Sequence, residues 1–164
     1  DFAKFFNSIS HYSTIGLFVL ELKLRDGVVS TYGGNNGTVP VYERFFAGGT
    51  YTIRGFKERD VGPKDQSGDP IGGGTLAVAN AELTFSIIEN LKAAFFVDAG
   101  NVWHVPDSKP KGGISAGGIR TGVGVGVRIK TPIGPVKLDY GFPVNPSKDQ
   151  SDTGRIHFSM SRGF

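Results

Sequence analysis

From Arg120 to Lys130 the chain reads RTGVGVGVRIK, with Val123, Val125, Val127 and Ile129 alternating against Gly122, Gly124, Gly126, Arg128 and Lys130. A period of two puts successive side chains on opposite faces of an extended strand. A helix cannot hold this pattern, because its apolar stripe recurs every three to four residues. The glycines do not spell a phosphate-binding loop, which would open a helix; here valine returns at every second residue and no helical pattern follows. The stretch is therefore a strand with one apolar face and one face of glycine and charge.

The same two-sided pattern recurs along the chain. Ala79, Ala81, Leu83, Phe85 and Ile87 oppose Asn80, Glu82, Thr84 and Ser86, and Leu91, Ala93, Phe95, Val97 and Ala99 oppose Lys92, Ala94, Phe96, Asp98 and Gly100. Val136, Leu138, Tyr140 and Phe142 oppose Lys137, Asp139 and Gly141; Ile156, Phe158, Met160 and Phe164 oppose Arg155, His157, Ser159 and Ser161, with Arg162 on the apolar side near the end. Phe18, Leu20, Leu22 and Leu24 oppose Val19, Glu21, Lys23 and Arg25, whereas DFAKFFNSIS alternates less cleanly. About seven strands are predicted, near 1–10, 17–29, 74–87, 91–103, 119–130, 135–143 and 154–164. Their connections alternate between short (SHYSTIG, IENL, TPIGP) and long, as in an up-and-down meander of an outer-membrane barrel.

Composition agrees. The 25 glycines, 13 phenylalanines and five tyrosines suit pleated surfaces and not helical bundles. No stretch reaches the ~20 apolar residues of a membrane-spanning helix, a limit that leaves strands of a membrane barrel open. The net charge of +3 is spread without a basic stripe, so a nucleic-acid partner is not expected. Zero cysteines exclude disulfides, thiolate metal sites and cysteine nucleophiles. The length is that of one domain, and the opening DFAKFF enters in mid-pattern, which suggests a C-terminal piece of a longer chain. Periodicity alone does not tell inside from outside. However, Glu82, Lys92, Asp98, Arg128, Lys137, Asp139, Arg155 and His157 all fall on glycine-bearing faces, while the other faces are nearly pure Val, Leu, Ile, Phe and Ala. That division favours a crowded, hydrated lumen inside a lipid-facing wall over a soluble ligand-binding barrel.

Six motifs stand in one order: ERFFAGGTYTIRGF, DVGPKDQSGDPIGGG, ANAELTF, FFVDAGNVW, GPVKLDYGFPVN and GRIHFSMSRGF. Together they closely resemble the C-terminal part of the BamA superfamily barrel, also called the bacterial surface antigen family. The resemblance implies an all-β fold: the last seven or so strands of a sixteen-strand transmembrane barrel, residues 1–164 being its C-terminal half without the N-terminal strands and the periplasmic POTRA domains. It implies a long loop folded into the lumen whose tip is Ile53, Arg54, Gly55 and Phe56, with Arg54 meeting Glu82 and Asp98. It further implies a lateral seam along the last strand (Phe158, Met160, Ser161, Gly163 and Phe164). Family members often carry a glycine kink three residues before the end, where this chain has Ser161, with Gly163 nearer the terminus; Phe164 fits the aromatic C-terminal signal of outer-membrane barrels.

The function so implied is an outer-membrane assembly factor that inserts β-barrel proteins through the seam. A two-partner secretion or translocation-assembly transporter of the same superfamily is the alternative. The implied partners are unfolded outer-membrane clients, accessory lipoproteins, the lipid bilayer and lipopolysaccharide, and two unpaired strand edges predict self-association of an isolated fragment. No cofactor is expected. His11, His104 and His157 lie too far apart for a metal set, and DQSGD at 65–69 lacks the alternating ligands and closing glutamate of a calcium loop, reading instead as a polar hairpin tip. Glu82 and Asp98 could be paired for acid–base chemistry, but no metal set or cofactor fingerprint accompanies them, and the chain is read as not an enzyme.

Overall fold

The computed structural model describes residues 1–32, 39–103 and 118–160. Seven strands form one antiparallel sheet: β1 (Phe2–Ile15), β2 (Phe18–Thr31), β3 (Thr75–Ile88), β4 (Leu91–Trp103), β5 (Arg120–Thr131), β6 (Gly134–Pro143) and β7 (Arg155–Met160). Their order in space is their order in sequence, so the sheet is a meander that does not close on itself. The described helical structure is one 3₁₀ turn at Val41–Glu43, and no helix is long and apolar enough to cross a membrane.

Short turns at 16–17, 89–90 and 132–133 join strands at one end; the longer connections leave from the other. The main departure from the sequence expectation is β1, which runs to Ile15 and absorbs the SHYSTI taken there as a turn. Pairing with β2 carries it on, from Phe2 opposite Thr31 to Ile15 opposite Phe18. Its inward Tyr12 hydroxyl donates to Glu21 Oε1 at 2.9 Å, so polar residues that blur the alternation are themselves part of the ladder. β7 is described only as far as Met160; Ser161, Gly163 and Phe164 lie outside the described residues.

Burial settles which face is which. Leu22, Leu24, Phe95, Val97, Val125, Leu138, Phe142, Ile156 and Phe158 are exposed, while Arg54, Glu82, Asp98, Arg128, Asp139 and His157 are buried. A wall that meets water would show the opposite distribution; apolar residues outward and charges inward suit a surface that meets lipid. Along the outer face near the short turns, Phe18 meets Phe85 edge-on and Phe85 stacks on Phe95, with centroids 5.7 and 6.2 Å apart, in the manner of an aromatic girdle.

The hydrophobic core lies on the inner face beneath the β2–β3 connection. Residues 39–74 of that connection fold back over the sheet, and Val39, Phe45, Ala47, Ile53, Phe56 and Val61 pack on Val29, Leu76, Val78 and Val102. The bridges Phe45 with Gly73, Ala47 with Val61 and Lys64 with Pro70 hold the loop as a stack of small hairpins. Arg44 clips its two limbs together, donating to Val39 O at 2.9 Å and Ile71 O at 3.0 Å.

Gly122 of β5 and Gly141 of β6 seat the loop tip, while Gly124 and Gly126 leave room for the Phe96, Arg128 and Asp139 side chains around it. A β-carbon on Gly122 would collide with the Arg54 carbonyl, one on Gly124 with the Phe96 ring, and one on Gly126 with the Asp139 carboxylate. Gly118, by contrast, has open space around it. Gly122→Ala is therefore expected to lower the unfolding free energy of the full-length protein by about 1–3 kcal/mol through overpacking, read as a lower urea midpoint in detergent micelles, whereas Gly118→Ala leaves the midpoint unchanged.

Candidate functional site

The loop tip Ile53–Phe56 is buried throughout, and its backbone turns between β5 and β6. Arg54 grips Asp98 of β4 side-on, Nε donating to Oδ2 at 2.7 Å and Nη2 to Oδ1 at 2.9 Å, while its own backbone N–H donates to Oδ2 at 3.0 Å. Nη1 donates to Glu82 Oε2 of β3 at 2.7 Å and to Asp139 Oδ2 of β6 at 3.1 Å. The guanidinium plane sits over Phe96, 3.6 Å from the ring centroid. The fork geometry of arginine matches this set of acceptors, and a lysine ammonium could not make the side-on pair.

A second guanidinium completes the cluster. Arg128 of β5 donates through Nε and Nη2 to Glu82 at 2.9 and 2.7 Å and through Nη1 to Asp139. Asn80 Nδ2 donates to Asp98 Oδ1 and to the loop carbonyl of Thr52, both at 2.7 Å, and Arg25 donates to Asn80 Oδ1 at 2.6 Å and to Tyr51 O at 2.5 Å. Three carboxylates thus face two guanidinium groups in van der Waals enclosure, with Arg25 as a third cation at the border. Because such a cluster is buried, deleting one member strands the charges of the others.

Sheet register explains the convergence. Asn80, Asp98 and Gly122 lie in one cross-strand row, Glu82, Phe96, Gly124 and Gly141 in the next, and Thr84, Ala94, Gly126, Asp139 and His157 in the third. The glycines occupy the middle of all three rows, so the tip enters there and finds a carboxylate on either side.

The structure thus brings Arg54, Glu82 and Asp98 together. It adds Asp139, Arg128 and Asn80, which alternation alone places only on the polar face, and His157, whose Nε2 accepts from Gly55 N–H at 2.9 Å. Phe158 and Met160, expected at the seam, are exposed. His11 is on β1 and His157 on β7; His104 lies outside the described residues. Asp65 of the DQSGD stretch accepts from the backbone N–H groups of Ser67 and Asp69, both at 2.9 Å, and so shapes a hairpin tip. One G-x-S-x-G spelling, GISAG at 113–117, lies outside the described residues.

A second tie holds the loop at its far end. Lys64 Nζ lies 2.6 Å from both Asp60 Oδ1 and Asp149 Oδ2, and Gln150 donates to Asp60 O, which pins the β6–β7 connection onto the loop. Burial works against the Lys64 ammonium, but its hydrogen bonds to Asp149 and Asp60 prevail and raise its pKa above the ordinary 10.5. The hydrogen bond from Lys64 holds the Asp149 carboxyl below its ordinary 3.8.

Two outcomes follow. Arg54→Ala should cost about 3–5 kcal/mol and expose residues 48–58 to protease in the full-length protein, with Arg54→Lys recovering only part of the loss; an unchanged urea midpoint and unchanged protection in Arg54→Ala would show that the clamp contributes nothing. For the outer tie, a raised lysine pKa stabilises below 10.5 and is lost as pH climbs through the folded value, and a lowered aspartate pKa stabilises above 3.8 and is lost as pH falls through the folded value. Hydrogen-exchange protection of residues 144–152 should therefore be flat across neutral pH and fall toward both extremes, and Asp149→Asn should remove it at neutral pH.

Comparisons with known proteins bear on this arrangement. The chain is 36% identical over 150 residues to "Outer membrane protein assembly factor BamA" of Nitratidesulfovibrio vulgaris, covering 89% of this chain and 18% of that protein. It is 27% identical over 175 residues to the protein of the same name from Neisseria meningitidis, covering 90% and 22%. The chain therefore spans about a fifth of the length of these curated relatives. Among solved structures, that of BamA from Haemophilus ducreyi lacking POTRA domains 1–3 superposes with a TM-score of 0.79 at 24% identity, over 96% of this chain and 34% of that one, and so shares its barrel fold. The Omp85 superfamily domain matches residues 1–164, and with its whole length so matched this chain belongs to the Omp85 superfamily.

Proposed function

We propose that this chain is the C-terminal part of the membrane barrel of an outer-membrane protein assembly factor, which folds and inserts β-barrel clients through a lateral seam in a bacterial outer membrane. The observation that carries this reading is the last strand. β7 pairs with β6 from Arg155 to Met160 and, among the described residues, supplies no ion-pair partner to the cluster that joins the loop tip to β3, β4, β5 and β6. A strand edge within lipid offers donors and acceptors that hydrocarbon cannot satisfy, so an incoming client strand that pairs there is stabilised. The arginine clamp ties β3, β4, β5 and β6 into one unit, which confines opening to the seam. The names of the two assembly-factor relatives support the same role.

No bond-making chemistry is needed, and the chain is read as a non-enzyme: Glu82, Asp98 and Asp139 are each engaged by a guanidinium group instead of poised as free acid or base. The partners are unfolded client strands, accessory lipoproteins of the assembly complex, and the surrounding lipid and lipopolysaccharide.

The test is client folding by the full-length protein in liposomes, followed by the heat-modifiable mobility of an unfolded outer-membrane barrel. Folding should be faster than in empty liposomes and should stop, reversibly with reductant, when an engineered disulfide joins the last strand to the first. Client folding that is undiminished with the seam locked would overturn the proposal. Delivery of a polypeptide into the liposome lumen, without insertion of barrels, would identify a secretion transporter instead.

A further inference from the structure

The loop tip makes one contact with the last strand that the ion cluster does not require. Gly55 N–H donates to His157 Nε2 at 2.9 Å in a buried position, and Thr50 Oγ1 lies 3.3 Å from Nδ1. The Gly55 amide has little freedom to turn away: with φ of 94° it lies so close to β6 that a β-carbon would stand 2.7 Å from the Phe142 carbonyl carbon. A backbone N–H can only donate, so Nε2 must present a lone pair. The imidazole in this arrangement is neutral, with its proton on Nδ1 directed at the Thr50 hydroxyl.

We propose that His157 is a proton-sensitive latch between the tip of the inward loop and the last strand, closed when the imidazole is neutral and open when it is protonated. An imidazolium would turn an N–H at Nε2 toward the Gly55 N–H, setting two donors against each other and leaving buried donors without an acceptor. The closed latch binds one proton fewer than the open one, so a fall in pH through the histidine range, about 6.5 for a free imidazole, favours opening.

The charged groups around the ring come from every neighbouring element. Asp139 of β6 stands opposite His157 in register, Arg155 lies two residues away on β7, and Arg54, Lys57 and Glu58 face it from the loop. Asp139 is already engaged by Arg54 and Arg128, and Glu58 accepts from the Thr50 N–H at 2.8 Å. The ring's hydrogen-bond partners in this arrangement are the Gly55 N–H and the Thr50 hydroxyl, and neither carboxylate is among them. A cleft lined by Thr50, Lys57, Glu58, Arg155 and His157 gives protons access to the ring. The latch rests on the geometry of this wall and not on client insertion: it would couple the lumen loop to the end strand whatever the barrel passes or inserts.

The test is amide hydrogen exchange of the full-length protein in lipid nanodiscs. Peptides covering residues 48–58 and 154–160 are followed at about pH 8 and about pH 5.5, on either side of the imidazole range, with the intrinsic exchange rate corrected. In the native protein, protection of both peptides should fall by about fivefold or more at the lower pH, the equivalent of one net hydrogen bond of about 1 kcal/mol. In His157→Gln, which has no titrating group and keeps a carbonyl acceptor, the ratio between the two pH values should be close to one whatever the absolute protection. A native ratio close to one, or a fall in His157→Gln as large as the native fall, would overturn the proposal, the latter by assigning the pH response to a group other than His157.

Discussion

An arginine enclosed by a lipid-facing wall is tolerable only if the wall supplies its counter-charges, and that requirement organises this protein. Arg54 is reached by carboxylates from β3, β4 and β6, and Arg128 of β5 shares two of them. The cost of removing these charges from water is large, and their mutual attraction offsets it only where the geometry is good and the remaining donors are used. Here the side-on pair with Asp98, the ring of Phe96 beneath the guanidinium and the amide of Asn80 supply that geometry. Glu21 and Glu82 lie directly opposite each other on β2 and β3, a like-charge pair that would otherwise disfavour the register. The two guanidinium groups on Glu82 and the Tyr12 hydroxyl on Glu21 resolve it.

The clamp in turn explains why the inner face is so rich in glycine. A crowded lumen has room for a second layer of backbone only where side chains are missing, and β5 and β6 remove them at Gly122 and Gly141 beneath Arg54 and Gly55, with Gly124 and Gly126 clearing space for Phe96, Arg128 and Asp139. Towards the long-loop end the same face becomes apolar, with Leu76, Val78 and Val102 packed beneath Ile53, Phe56 and Val61. The lumen is thus a polar cluster at the tip and a small hydrophobic core behind it, so that the loop is held by charge at one point and by burial along the rest of its length.

Much of this could be read from the sequence, for identifiable reasons. Alternation marks six strands because one face of each is almost wholly apolar, and the outward face then emerged from the exposure of those same residues. β1 resisted because Asn7, His11 and Ser13 share a face with Phe5, Ile9 and Ile15, so its extent became clear only from pairing with β2. Glu82 and Asp98 came from the resemblance. Asp139, Arg128 and His157 did not, because their convergence on the loop depends on how rows of different strands line up, which periodicity within one strand does not encode. A signal for the contact was nevertheless present: glycine at three alternate positions of one strand, all on the charged face, marks a place where other backbone approaches closely.

The clamp also constrains how the wall can form. Arg54 is separated from Asp139 by 85 positions in sequence and from Glu82 by 28, so no local hairpin can neutralise it. With only β3 and β4 in place, Glu82 and Asp98 would face Arg54 alone, two carboxylates against one guanidinium; with β5 and β6 alone, Arg128 and Asp139 would pair with each other while the seat of the tip stayed empty. The first leaves a carboxylate in excess and the second leaves the loop without its counter-charges, so the full set of ion pairs forms only when all four strands are in place. Entry of the loop and assembly of β3 to β6 are consequently expected to be one cooperative event. β7, which among the described residues gives the cluster no ion pair and meets the tip through His157, is the element that can add or leave without disturbing the clamp.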